Sequence, residues 1–140
     1  MKKSDCVFCN YKDKEVVIYS DKLCYAVISH DPINKHHVLV IPKKHYKYFT
    51  DLPDKVASHI FIVAKNLSKA VKKACKPDAI EHISDDDISN TGMNLVINHY
   101  KFHIIPKFKN DGIRHYWNRK GNKGIRVRAK YAKDVKKYLH

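Results

Sequence analysis

Between Pro53 and Cys75 the apolar residues Val56, Ile60, Val63, Leu67, Val71 and Cys75 recur at steps of three and four, while Lys55, Lys65, Asn66, Lys69, Lys72 and Lys73 take the positions between them. Such spacing gathers the apolar side chains into one stripe of a single helix. A stripe of this length needs a surface to cover it, and the flanking segments supply one because they are short runs of β-branched and aromatic residues. Val16-Val17-Ile18-Tyr19 and Leu23-Cys24-Tyr25-Ala26-Val27-Ile28, separated by Ser20-Asp21-Lys22, predict a hairpin of β-branched and aromatic strands. His37-Val38-Leu39-Val40-Ile41-Pro42 predicts a third strand stopped by its proline. The expected fold class is therefore α+β, an antiparallel sheet with one long amphipathic helix packed on it. Thr50 or Asp51 is expected to cap that helix with Pro53 in its first turn, and Pro77 to end it.

Past the helix, residues 77 to 91 include Asp85-Asp86-Asp87 and predict a solvated loop, whose acidic spacing is not that of a calcium-binding loop. Met93-Asn94-Leu95-Val96-Ile97 and Tyr100-Lys101-Phe102-His103-Ile104-Ile105 predict two further strands. Only Asn98 and His99 separate them, so they are expected to close as a tight hairpin, for which asparagine's tolerance of positive φ is suited. From Asn110 onward the chain is polar and basic, with Trp117 and Tyr131 as its bulky anchors. A length of 140 residues suits one domain. Residues 1–118 are expected to form it and residues 119–140 a loosely packed basic extension.

The formal net charge is +14, and residues 99 to 140 hold 13 of the 28 Lys and Arg against only Asp111 and Asp134. A segment this basic either attracts phosphates or RNA by counterion release or is simply a solvated surface. No apolar run approaches the roughly 20 residues of a membrane span, and Met1-Lys2-Lys3-Ser4-Asp5 leads into no apolar signal core. The expectation is a cytoplasmic protein with no membrane partner. In that setting Cys6, Cys9, Cys24 and Cys75 suggest metal ligands or thiols before disulfides.

In the run His99-Tyr100-Lys101-Phe102-His103-Ile104-Ile105-Pro106-Lys107, alternation brings His99, Lys101 and His103 to one face of a strand. At the other end of the chain, Cys6-Val7-Phe8-Cys9 offers two thiolates from one turn, which two distant histidines can complete as a tetrahedral zinc site. The alternative reading of the same pair is two unmetallated thiols near a terminus. Taken together, these blocks resemble the histidine triad (HIT) family and its zinc-containing bacterial branch. The strand run is similar to the family's His-x-His-x-His signature with lysine in the middle. Lys35-His36-His37-Val38-Leu39-Val40-Ile41-Pro42-Lys43-Lys44-His45 resembles its Lys-Gly-His-x-Leu-Val-Ile-Pro-Lys-x-His block. Gly92 to Asn98 resembles its strand ending in an active-site asparagine, and Asp111-Gly112 with Trp117 a C-terminal signature.

This resemblance implies a structural zinc on Cys6, Cys9, His45 and His99, and a nucleoside phosphate lying over the triad strand. It also implies a homodimer paired through the long helix and its adjoining strand, although periodicity shows only one apolar face, which a monomer's own sheet would consume. Lys101 stands where the family has its nucleophilic imidazole, with Asn98 and His103 assisting at the phosphate. Because a lysine amine with a pKa of about 10 is protonated at neutral pH, Lys101 is expected to act as a cation. Ser29 falls at the ribose position and His37 at a histidine that orders the site. Phe8, Val27, Ile28 and Leu39 are candidates for an adenine pocket or for plain core. His36 replaces a glycine. The family's glycine-rich phosphate loop has no counterpart between Asn98 and His99. The implied function is a nucleoside-phosphate hydrolase or transferase, of the nucleotidyl-phosphoramidate or dinucleoside-polyphosphate type. The alternative is a catalytically inactive module that binds nucleotide or RNA, and a third reading is a scaffold for protein partners.

Overall fold

A computed structural model describes residues 6–86, 98–113 and 124–139 of the chain. Its elements are β1 (Val17–Ser20), β2 (Cys24–Ile28), β3 (Val38–Pro42), α1 (Asp54–Cys75), β4 (Ala79–Asp85), β5 (Lys101–Lys107) and α2 (Ile125–Lys136). The strands form one antiparallel five-stranded sheet in the order β1-β2-β3-β5-β4. This is the α+β architecture that the sequence predicts.

Alternation along the strands divides the apolar residues between two cores. Cys24, Ala26, Val38, Val40, Tyr100, Phe102 and Ile104 face α1 and meet Val56, Ile60, Val63, Ala64 and Val71. Tyr25, Val27, Leu39 and Ile41 face the other way and are covered by Cys6 and Phe8 of the N-terminal segment. The Tyr25 hydroxyl donates to the Phe8 carbonyl at 2.6 Å, which pins that segment to the sheet. Phe8, Val27 and Leu39 thus share the face away from the helix, whereas Ile28, grouped with them as a candidate pocket residue, packs on the helix side.

At the β1–β2 turn the Asp21 carboxylate accepts backbone N–H bonds from Leu23 and Cys24 at 2.8 and 2.9 Å and the Tyr19 hydroxyl at 2.6 Å. His59 of α1 reaches the same carboxylate, so one side chain closes the hairpin and ties it to the helix. Burial works to raise the Asp21 pKa, but its hydrogen bonds from Tyr19, Cys24, His59 and Leu23 outweigh that and hold it well below the usual carboxylate range.

The helix begins at Asp54 with Pro53 as its N-cap, after a 3-10 turn over Phe49–Asp51, so neither Thr50 nor Asp51 caps it. Its end before Pro77 is as expected, with Lys76 in the left-handed region at φ 48°. Residues 79–85, expected in a solvated loop, are strand β4. Of the polar side chains that disguise this strand, His82 and Ser84 are bonded to neighbouring elements. Ser68 donates to the Ala64 carbonyl, so His82 Nε2–H donates to Ser68 at 2.9 Å, and Ser84 bonds the Tyr100 hydroxyl at 2.9 Å. Among the described residues β4 is an edge strand of the sheet.

The tight hairpin is also excluded as a pairing of 100–105. Over residues 102–104, β5 is bonded on one side to β3 (Val40↔Phe102, Leu39↔His103, Val38↔Ile104) and on the other to β4 (Ser84↔Phe102, Ile83↔His103, His82↔Ile104). Neither edge is open for a further strand. The expected strand Met93–Ile97 itself lies outside the described residues, as does Trp117. Tyr131, expected to anchor the extension, is 54% exposed, and no described residue of α2 is buried.

Candidate metal centre and anion site

His99, Lys101 and His103 do share one face, the one turned away from α1, and His37 at the start of β3 joins them. The structure distributes them over two different clusters. The first forms where the N-terminal turn meets the ends of β3 and β5. Backbone N–H groups of Cys9 and Asn10 both bond the Cys6 carbonyl, at 3.1 and 3.2 Å, closing a turn that brings the two thiols together. Cys6 Sγ lies 3.4 Å from His99 Nδ1, and Cys9 Sγ lies 3.2 Å from His45 Nδ1 and 3.6 Å from His99 Nδ1. One ligand atom from each of the four residues falls within 4.8 Å of every other.

The proton on His99 is assigned by its second partner. Nε2 sits 2.9 Å from the Pro42 carbonyl, which can only accept, so Nε2 carries the hydrogen and Nδ1 presents its lone pair to the thiols. Burial pushes the His99 pKa down to about 4, against the opposing Pro42 bond and with help from the His45 and Lys101 charges, which keeps the ring neutral as a ligand must be. Two thiols and two imidazoles make a donor set of the softness and number that a tetrahedral divalent cation takes. These four residues could therefore hold a metal.

The second cluster is built around His103. Ile33 N–H donates to His37 Nδ1 at 3.1 Å, so the hydrogen of the neutral His37 ring is on Nε2. That Nε2 lies 2.9 Å from His103 Nδ1 and donates to it, which leaves the His103 hydrogen on Nε2, 3.1 Å from Asp85 Oδ2. Lys101 Nζ reaches the same Asp85 oxygen at 2.9 Å. Burial and the neighbouring His103 push the His37 pKa down to about 4, which supports the neutral assignment. For Asp85, burial acts to raise the pKa but is outweighed by the hydrogen bonds and charges of His103 and Lys101, so the carboxylate is held below its ordinary value. The result is a cation and a neutral N–H donor converging on one oxyanion.

Asp85 was missed by sequence reasoning, which placed it among solvated acids. The one signal that could have found it is its register, since β4 sets Asp85 directly across from Lys101. Of the remaining site candidates, Asn98 lies just before His99, and its side-chain oxygen is buried without a partner among the described residues. Ser29 follows β2 and its backbone N–H donates to the His37 carbonyl at 2.8 Å. Phe8 is buried against the His99 ring, edge to face at 5.9 Å. His36 adopts φ 62°, so the turn before β3 keeps the left-handed backbone that a glycine would adopt freely.

The HIT domain family matches residues 10–110. The chain is a HIT family protein. An uncharacterized HIT-like protein of Borreliella burgdorferi is 33% identical over 122 residues, 85% of each chain. The adenosine 5′-monophosphoramidase of Candida albicans is 31% identical over 109 residues, covering 74% of this chain and 71% of that one. Among solved structures, a HIT family protein from Bacillus anthracis superposes with a TM-score of 0.82 at 24% identity, covering 97% and 98% of the two chains. A zinc-bound histidine triad family protein from Mycobacterium smegmatis superposes at 0.69 and 21% identity, over 84% and 86%. At those identities the superpositions establish the HIT fold. Among the described residues of this HIT protein, no helix is long and apolar enough to cross a membrane.

Proposed function

We propose that this HIT protein binds a nucleoside phosphate over the face of β5, with Lys101 as a fixed cation rather than a nucleophile. The observation that carries the reading is the convergence of Lys101 Nζ and His103 Nε2–H on one anionic oxygen, at 2.9 and 3.1 Å. Two donors aimed at one point are what a phosphate oxygen needs. An amine held in an ion pair has no lone pair with which to attack phosphorus, and His103 has both nitrogens engaged. The arrangement therefore favours the binding module over the hydrolase or transferase. Asn98, whose side-chain oxygen has no donor among the described residues, would meet a ligand hydroxyl or amide, and Ser29, His37 and Phe8 complete the nucleotide-binding set.

Zinc is the metal we assign to Cys6, Cys9, His45 and His99, as the Cys2His2 donor set suits it. Its role is structural: it cross-links the N-terminal turn to the ends of β3 and β5, so the same strand that carries Lys101 and His103 is tethered at its start. We divide the chain into a HIT-like domain, residues 1–118, and a basic extension, residues 119–140, whose exposed Arg126, Arg128, Lys130 and Lys133 support weak RNA binding with a steep salt dependence. A homodimer through α1 and its adjoining strand is supported by the exposed Phe61 and Ile62 of α1, and sizing tests it. Cytoplasmic location completes the reading.

Adenosine phosphoramidate and a dinucleoside polyphosphate, incubated with the protein at high concentration and assayed for released AMP, test the central claim. The expected outcome is no turnover, while AMP raises the melting temperature. Release of AMP by the unaltered protein would overturn it in favour of a nucleotide hydrolase or transferase. Lys101→His, which restores an imidazole, is the matching variant: turnover gained by that change alone would locate the lost chemistry at one side chain.

A further inference from the structure

Asp85 is more than a counterion that happens to neutralise Lys101. We propose that it is a built-in competitor for the anion site, one that sets the charge a bound phosphate must carry. The inference rests on the reading that this site receives a phosphate, and adds which phosphates it accepts.

The His103 donor is aimed without help from Asp85. The His103 hydrogen is fixed on Nε2 by the chain from Ile33 N–H through His37, and Lys101 projects from the same face of β5 two residues earlier. Asp85 then fills the point where they converge, with Oδ2 taking both bonds. The local charge is balanced, since Lys101 contributes +1, Asp85 −1, and the two imidazoles none. A monoanionic phosphodiester that displaces the carboxylate exchanges one unit charge for another and gains nothing from Lys101. A dianionic phosphate monoester brings twice the charge to the same cation and gains on the exchange. A carboxylate that leaves must also have somewhere to go. Asp85 is the last residue of β4, which is an edge strand among the described residues, and its side chain is 19% exposed. Rotation toward solvent frees the donors while the β4–β5 ladder stays paired. The structure thus assigns to this site a preference for terminal, dianionic phosphate and an exclusion of diesters, with Asp85 as the residue that decides.

Calorimetric titration with inorganic phosphate at pH 8 and with dimethyl phosphate tests this in the full chain. Wild type should bind inorganic phosphate measurably and dimethyl phosphate barely. Asp85→Asn, which keeps the size and an oxygen for His103 but removes the charge, should bind both anions about tenfold more tightly, the gain expected when a close competing charge is removed. Adding Lys101→Met to that variant should abolish the gain. Equal or weaker binding by Asp85→Asn would overturn the proposal. Should that variant not fold, the side-chain carboxyl carbon-13 resonance of Asp85 in wild type serves instead: it should move as phosphate is added, and a stationary resonance at saturating phosphate would overturn the idea. AMP separates this inference from the reading beneath it. If AMP binds no tighter than inorganic phosphate while Asp85→Asn shows its gain, nucleoside recognition fails and the competitor stands; if AMP binds tightly and Asp85→Asn changes nothing, the reverse holds.

Discussion

His99 and His103 lie four residues apart on one face of the same segment, both turned from the helix, yet they offer opposite chemistry. His99 gives its Nε2 hydrogen to the Pro42 carbonyl and presents a bare Nδ1 to two thiols. His103 accepts at Nδ1 from His37 and donates at Nε2 to Asp85, so neither nitrogen is left for a metal or for attack on a substrate. The difference lies outside the rings. A carbonyl partner forces a histidine to be a ligand, whereas a histidine on one side and a carboxylate on the other make it a relay. One strand can therefore hold a cross-link at its start and an anion site two residues further on.

The largest expected effect breaks the comparison at the metal. Cys9→Ser should lose stoichiometric zinc and lower the melting temperature by about 10 °C or more, because a structural metal contributes its binding energy to folding. His103→Gln should keep its metal. Metal analysis and thermal melts with and without chelator check both, and equal zinc loss in the two variants would erase the distinction drawn between the histidines.

A smaller effect sharpens the relay side. With its pKa near 4 in the folded state, His37 binds a proton less readily than in the unfolded chain, where a histidine titrates at about 6.5. Between those values the unfolded state carries more protons, so stability contributed by neutral His37 is fully present above about pH 6.5 and declines as pH falls toward 4. The loss amounts to about 3 kcal/mol across the window, at 1.36 kcal/mol per pKa unit. Urea melts of wild type and His37→Gln from pH 4 to 7.5 should show the difference between them shrinking toward acid. A pH-independent difference would mean that His37 is charged or exposed.

The smallest effect concerns the turn that delivers His37 to the relay. His36→Gly should stabilise the fold by about 0.5–1 kcal/mol, since glycine adopts positive φ without a Cβ penalty. A loss of stability in urea melts would show that the His36 side chain contributes contacts that outweigh its backbone cost.

Much of this was legible in the chain. Runs of β-branched and aromatic residues located β1, β2, β3 and β5, of which β2 and β3 are buried on both faces, and the three-to-four period located α1, which buries one. The four metal-ligand candidates were legible only through the family resemblance, and the fold brings one ligand atom of each within 4.8 Å of the others. β4 was not legible. Its alternation is carried by Ile80, His82 and Ser84, two of them polar and acceptable only because Ser68 and Tyr100 stand opposite. Asp85 was hidden for the same reason: within Asp85-Asp86-Asp87 nothing local distinguishes the residue whose neighbour across the ladder is Lys101. The tight hairpin followed from treating sequence neighbours as strand neighbours, whereas both edges of β5 are taken by β3 and β4.

By itself, then, the sequence determined the layers of the fold and the family and, through that resemblance, the four metal-ligand candidates and the lysine at position 101, all of which depend on residue type and on spacing within short blocks of the chain. Tertiary structure alone decided which nitrogen of each histidine carries a proton, which acid of three enters the site, and that His99 and His103 serve different clusters. Those outcomes depend on partners brought together from distant segments, on strand register and on burial, and no local pattern of residues encodes them.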